Sequence, residues 1–330
     1  MKRMTESAVA YFGKVPSRGD FVRASGNHQL LGWLDRWAGE SLDLLSNDPD
    51  WKKYYDTAPE LSYAFLGSRS KTVVCGHYVS SQDASDRRFP LLSAVRLEAQ
   101  EPLRFIGRSP MAMFNAWAGL ARMCREARRA QQDAEINAAL SQLDEARFHV
   151  STEPQDYDES FQAFVDGTTL GELERRLRQA GHADLSLQRS LPALGLLLQP
   201  VLSSGDSTVD KALALPLVGD PAALPLVAAF WLDLLAGFLS RADFELAVAI
   251  RNNHAPIMLV GFNGADRRLL RAAVEPDQTD GFLIHLSDTG WVEDYLHNDY
   301  NLHRLGSFLE RDDLALATAH RLFGETFLGT

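Results

Sequence analysis

Several groups of residues in this chain are of types that do chemistry, and two of them share one short stretch, YFGKVPSRGDFVR at residues 11–23. Gly13-Lys14 invites comparison with a phosphate-cradling loop. Such a loop needs backbone N–H groups converging ahead of the lysine, in the pattern G-x-x-x-x-G-K-[ST]. Here Val15 follows Lys14, and Ala8 stands where the partner glycine belongs. The pair therefore reads as a glycine ending a strand beside a solvated lysine. Arg18-Gly19-Asp20 would serve adhesion only in an extracellular chain. The physical reading is a turn, with Pro16 fixing φ, Gly19 supplying a left-handed residue, and Arg18 and Asp20 able to pair across it.

Other groups lie further along. Cys75 and His77 are two apart within TVVCGHYV, so on a strand they point to the same side. A thiol activated by a neighbouring base is one reading, and a core cysteine beside a half-buried histidine is the other. His297, Asp299 and His303 in HNDYNLH have neither helical nor strand spacing for a shared metal, and no metal or cofactor is expected. Arg122, Arg125, Arg128 and Arg129 form a basic face, either solvated or a dock for an acidic or phosphorylated protein. SSQDASDRRFPLL (residues 80–92) carries Asp86, Arg87 and Arg88 just ahead of an apolar strand start. It reads equally as a partner-facing hairpin and as a polar connection.

These groups must be positioned by a fold, and the pattern of types outlines one. Strands are expected at Val9–Phe12, Leu61–Leu66, Thr72–Val79 and Phe89–Leu97, with later ones at Phe244–Ile250, Pro256–Phe262 and Phe282–Leu286. Leu30, Trp33, Leu34, Trp37, Ala38 and Leu45 recur at helical spacing up to Asn47-Asp48-Pro49. Ser109-Pro110 opens a long helix, with the serine expected to cap it. Further helices are expected at 172–179, 222–240, 301–309 and 314–323, and a loop at 203–207. The expectation is an α/β protein whose sheet is covered on both faces.

With 330 residues the chain can bury a large core. Its net charge of −11 gives no global attraction to nucleic acid or anionic lipid. Two cysteines in no ligand-like spacing fit a reduced, cytoplasmic protein. MKRMTESAVAYFGK has no apolar core of a secretory leader. The most apolar run, Leu224 to Leu239, is interrupted by Asp233 and falls short of the ~20 residues of a spanning helix.

YFGKVPSRGDFVR followed by LLGWLDRWAGESL closely resembles the N-terminal signature of the TagF (ImpM) family, accessory proteins of bacterial type VI secretion. Gly13, Lys14, Pro16, Arg18, Gly19, Asp20 and Phe21 match the family pattern; Trp33, Leu34, Asp35 and Trp37 resemble the helix after it. Asp86-Arg87-Arg88-Phe89-Pro90-Leu91-Leu92 resembles a second family segment in compressed form. The resemblance is strong over 9–45, fair to about 125 and weak beyond. The paired-aspartate motifs of the phosphatase domain fused to some members are absent from 126–330.

The resemblance implies a three-layer αβα sandwich with a central mixed sheet, to which the pattern adds a helical embellishment. The expected division is a TagF-like region at 1–130, a helical insertion or subdomain at 131–220, and a C-terminal α/β region at 221–330 completing the same fold. It also implies a non-enzymatic, posttranslational repressor of secretion that binds a forkhead-associated scaffold protein, with no small-molecule substrate. Gly13, Pro16, Gly19, Phe21, Trp33 and Trp37 are expected to shape the motif, and Lys14, Arg18, Asp20, Arg87 and Arg88 to contact the partner. The rival readings are a hydrolase using Cys75 and His77, and a structural component of the secretion baseplate.

Overall fold

The computed structural model describes residues 4–204, 209–275 and 281–329. The chain begins with β1 (Met4–Gly13) and β2 (Val22–Arg23), which bracket the opening motif. Then come α1 (His28–Leu45), α2 (Trp51–Thr57), β3 (Leu61–Gly67), β4 (Thr72–Val79) and β5 (Leu91–Glu98). The middle contains α3 (Pro102–Ile106), α4 (Ser109–Arg129), α5 (Asp133–Glu145), β6 (Arg147–Ser151), α6 (Gln155–Gly167), α7 (Leu170–Gln179), α8 (Leu187–Ser204) and β7 (Ala212–Pro216). The last third holds α9 (Leu224–Ala236), β8 (Glu245–Arg251), β9 (Ile257–Gly261), α10 (Arg267–Val274), β10 (Leu283–His285), α11 (Glu293–Asn298), α12 (Tyr300–Leu309) and α13 (Leu316–Phe327).

The ten strands form one sheet in the order β10-β7-β9-β8-β3-β4-β5-β1-β2, with β6 also paired to β1. All pairings are antiparallel except β10 with β7, so the sheet is mixed. Its centre joins distant parts of the chain: β3 pairs with β8 from Leu61↔Arg251 to Gly67↔Glu245. The stretch 131–220 is mostly helical, yet it gives β6 and β7 to this same sheet.

Alternation along the strands sends side chains into two separate cores, one on each face. Tyr63, Phe65, Val74 and Leu92 meet α1, α2 and α10. Trp37 packs edge-on against Tyr63 and Phe65, and Trp33 meets Phe65 at 4.3 Å, so the two α1 tryptophans seat that helix on the sheet. On the opposite face Ala64, Leu66, Cys75 and Val95 lie under α4, α9 and the remaining helices. Helix, sheet, helix is the three-layer arrangement expected.

Some local expectations need correction. Ser109 does not cap α4; its hydroxyl donates back to the Ile106 carbonyl at 2.8 Å, and the cap position is Arg108. The short α2 and α3, together with α5, α6 and β6, were not expected from the sequence, although Tyr157, Phe161, Phe164 and Val165 in α6 and Ile136, Ala139 and Leu143 in α5 stand at helical spacing. Of the loop expected at 203–207, residues 203 and 204 end α8 and residues 205–207 lie outside the described residues. Among the described residues no helix is long and apolar enough to cross a membrane.

The run from Leu224 is α9, buried on nearly every side, and Asp233 is its one charge. Asp233 receives Arg108 at 2.5 Å and His320 at 2.8 Å, and Arg108 also reaches Asp158 at 2.9 Å and lies over the Phe161 ring. One carboxylate thus ties α9 to the segment before α4, to α6 and to α13. Burial pushes the Asp233 carboxyl up, but His320 and Arg108 outweigh it and hold it below its ordinary value. Arg108→Ala is expected to cost on the order of 2–3 kcal/mol, less than a fully buried pair because the site is partly open to water. Because the folded carboxyl titrates lower than the unfolded one, its contribution is present above the ordinary value of 3.8 and disappears as pH falls through the folded value. Urea unfolding of both proteins at pH 7 and in the acid range should show the variant's deficit shrinking towards low pH.

Candidate functional site

β1 ends at Gly13 with φ at +149° and with the chain pressed against the next strand. A Cβ on Gly13 would lie 2.0 Å from the Pro90 carbonyl oxygen. Glycine is therefore required here by both backbone and space. The chain then turns: the Arg18 amide donates to the Val15 carbonyl at 3.1 Å, with Pro16 as the second residue of the turn. Gly19 does not supply the left-handed residue expected of it; its φ is not positive and a Cβ there would meet nothing within 4 Å. Its carbonyl instead accepts from the Arg87 guanidinium at 2.7 Å.

This contact exposes the main feature of the site. The opening motif and the 82–89 loop are one spatial unit, and Asp83 is its centre. Asp83 is 1% exposed and accepts from the amides of Ser85 (2.9 Å) and Arg87 (3.0 Å), from Arg87 Nε (2.7 Å), and from Lys14 Nζ at 3.0 Å. Burial raises its carboxyl, and the Arg87 amide, Lys14, the Ser85 amide and the Arg87 side chain together pull it well below the usual carboxylate range. The loop closes on Asp86, held at φ +60°, a conformation aspartate tolerates better than most residues. The Ala84 amide donates to the Arg18 carbonyl at 2.8 Å, and α2 grips the loop's start: the Tyr55 hydroxyl both donates to the Ser81 carbonyl and accepts from its amide.

Several expected roles change. Lys14 is not a surface contact; it is 7% exposed, paired with Asp83, with its ammonium 5.0 Å from the Phe21 ring centre. Arg18 and Asp20 do not pair. Arg18 reaches Asp133 and Asn137 on α5, both at 2.7 Å, and Asp20 accepts from the Phe21 amide at 2.7 Å while its side chain stays exposed. Arg88 grips Asp56 of α2 with two bonds of 2.8 and 2.6 Å, which lower the Asp56 carboxyl. Arg87 keeps its side chain largely exposed while anchored at Asp83 and Gly19.

What this framework presents outward is aromatic. Phe21 stacks on Phe12 at 4.9 Å and meets Phe89 edge-on at 5.1 Å, yet remains 40% exposed. Exposed Asp20 and Arg23 flank it in sequence, and exposed Asp86 and Arg87 belong to the loop that Arg87 joins to the motif at Gly19. Sequence reading missed Asp83, Tyr55, Asp56 and Asp133. Only Asp83 carried a signal, since Asp-Ala-Ser-Asp favours an aspartate bonding the backbone two residues on.

The remaining candidates stand elsewhere. Cys75 and Cys124 are fully buried, and burial pushes both thiols up, that of Cys124 to about 12. His77 is 3% exposed and faces Glu60 at 3.4 Å, which Arg125 also approaches at 3.5 Å. Asp299 caps α12, accepting from the Asn301 and Leu302 amides, while His297 bonds the Glu293 carbonyl.

Two substitutions test this framework. Gly13→Ala must move Pro90 or abandon its φ, and should cost on the order of 3 kcal/mol in urea unfolding. Asp83→Ala strands Lys14 and frees two loop amides, so its melting temperature should fall clearly below that of Arg18→Ala, whose exposed pair contributes only about 0–1 kcal/mol.

Comparison with known proteins places this unit. No curated protein matches the chain. One similar solved structure is that of PA0076 from Pseudomonas aeruginosa PAO1, at 22% identity and a TM-score of 0.36. The likeness covers 43% of this chain, and this chain spans 65% of that one, which is too little to carry an argument. The family match is more direct and falls where the motif and its loop lie. Residues 10–144 match the family model of the TagF N-terminal domain, described as type VI secretion system-associated.

Proposed function

We propose that the protein is a non-enzymatic, posttranslational repressor of type VI secretion, acting in the cytoplasm by occupying a protein partner's surface, with a forkhead-associated scaffold as that partner. The observation that carries this reading is Phe21. It is exposed, yet it is held from behind by Phe12, Phe89 and Lys14 on a frame fixed by Asp83. A preorganised aromatic flanked by exposed Asp20 and Arg23 loses little entropy on docking and is the kind of residue that anchors an interface. Arg87 beside it is anchored at its root and offers the rest of its guanidinium to an acidic group. The burial of both thiols favours this reading over hydrolysis by Cys75 and His77.

Phe21→Ala should weaken binding to the purified scaffold by about tenfold or more, as for an interface anchor, while changing the melting temperature little. Calorimetric titration and a thermal melt on the same samples check this. Unchanged affinity would remove the surface from the mechanism, and co-sedimentation with assembled baseplates instead of soluble scaffold would favour a structural role.

A further inference from the structure

The strand order ends at β2, which pairs with β1 and, among the described residues, with no strand beyond it. Its register is Phe12↔Arg23 and Gly13↔Val22, and the Ala24 amide donates to the Tyr11 carbonyl at 2.9 Å. Bonded and unbonded positions alternate along an antiparallel pair. Val22 and Ala24 therefore turn their backbone groups toward β1, and Arg23 turns its N–H and C=O to the open edge. Neither group meets a partner among the described residues, and the Phe21 carbonyl accepts no bond either. The Phe21 amide is already taken by the Asp20 carboxylate at 2.7 Å. Phe21 and Arg23 are exposed while Val22 between them is buried, so the two side chains stand on one face of the strand. The Arg23 guanidinium has no ion pair or hydrogen bond.

An open backbone edge selects its occupant by hydrogen bonding. An extended chain returns an N–H and a C=O at strand spacing; a helix, whose backbone groups are spent within it, does not. An edge strand of two residues that carries a cation is guarded against indiscriminate pairing, so its occupant must answer the charge. A second copy fails this condition, because two β2 strands paired about a two-fold axis centred on Arg23 would set Arg23 against Arg23. We propose that the protein partner of the Phe21 surface docks as an extended segment added to β2. Its backbone exchanges two hydrogen bonds with Arg23, a carboxylate faces the Arg23 guanidinium, and an apolar side chain two residues away lies on Phe21. The proposal rests on the reading of Phe21 as an interface anchor and adds to it the form that the partner takes.

The test uses the full chain and the purified forkhead-associated scaffold. Arg23→Ala deletes the charge and keeps the backbone. Arg23→Pro also deletes the outward N–H but spares the bonds to β1, and proline is tolerated where an edge strand's N–H faces water. Calorimetric titration should show a several-fold loss of affinity in Arg23→Ala, and about another tenfold in Arg23→Pro. Amide hydrogen exchange on the unaltered chain gives a readout that needs no variant to fold. The Arg23 amide should slow by about tenfold or more when scaffold is bound, while the Ala24 amide, already bonded to Tyr11, changes little. Binding that leaves the Arg23 amide exchanging fast, or equal affinity of two folded Arg23 variants, overturns the strand addition and leaves the Phe21 reading standing. No binding, or binding indifferent to Phe21→Ala, overturns both. Self-association lost in Arg23→Pro by sedimentation would assign the edge to a second copy and overturn the proposal.

Discussion

The buried carboxylate of Asp83 is the constraint on which the rest of the motif depends. A charge removed from water must be met by donors or it neutralises. Here two amides and two cationic side chains meet it, drawn from separate stretches of chain. Each donor is fixed in return. Lys14 is pulled inward with its ammonium against the Phe21 ring, while Arg87 is turned so that it also reaches Gly19. Fixing these groups fixes the turn between them. The glycine at 13 then follows from proximity: with the two loops drawn together, the strand end must pass the Pro90 carbonyl with no side chain between.

This logic separates framework from surface. Lysine, arginine and aspartate in a loop are easily read as contact residues, but most of the charge here is spent internally. Arg88 is committed to Asp56, Arg18 to α5, and Lys14 to Asp83. What faces outward is an aromatic ring supported by Phe12 and Phe89 and by the Lys14 ammonium that Asp83 holds. Such an arrangement fixes the ring on the core side while leaving one face open, which suits a recognition element at the edge of a sheet.

The outline of the fold was legible because strongly periodic segments carry their own evidence. Leu30 to Leu45 and Thr72 to Val79 are long and regular, and α1 and β4 fall where the pattern places them. The motif was legible as a turn through Pro16. What sequence could not convey was pairing across distance. Nothing beside Lys14 points to Asp83, and nothing beside Arg18 points to Asp133, because those partnerships are set by packing α5 and β5 against β1. Gly19 was misread for a related reason: a glycine in a turn suggests positive φ, whereas the demand for one arose at Gly13 from a neighbour far along the chain. In the middle of the chain α7 was legible, whereas β6 and β7 are short and α8 carries Pro192 and Pro200 within it, which argue against a helix when read from sequence alone.

The pairing of β3 with β8 has a consequence for how the protein comes into being. Residues 10–144 leave the ribosome before residues 245–251 do, and within them β3 is an outer strand whose far edge lacks its neighbour until those later residues are made. A bare strand edge of this length is an invitation to wrong partners. The nascent chain therefore spends the synthesis of its whole middle section with the future centre of its sheet unguarded, and closure of that seam is a late event in maturation.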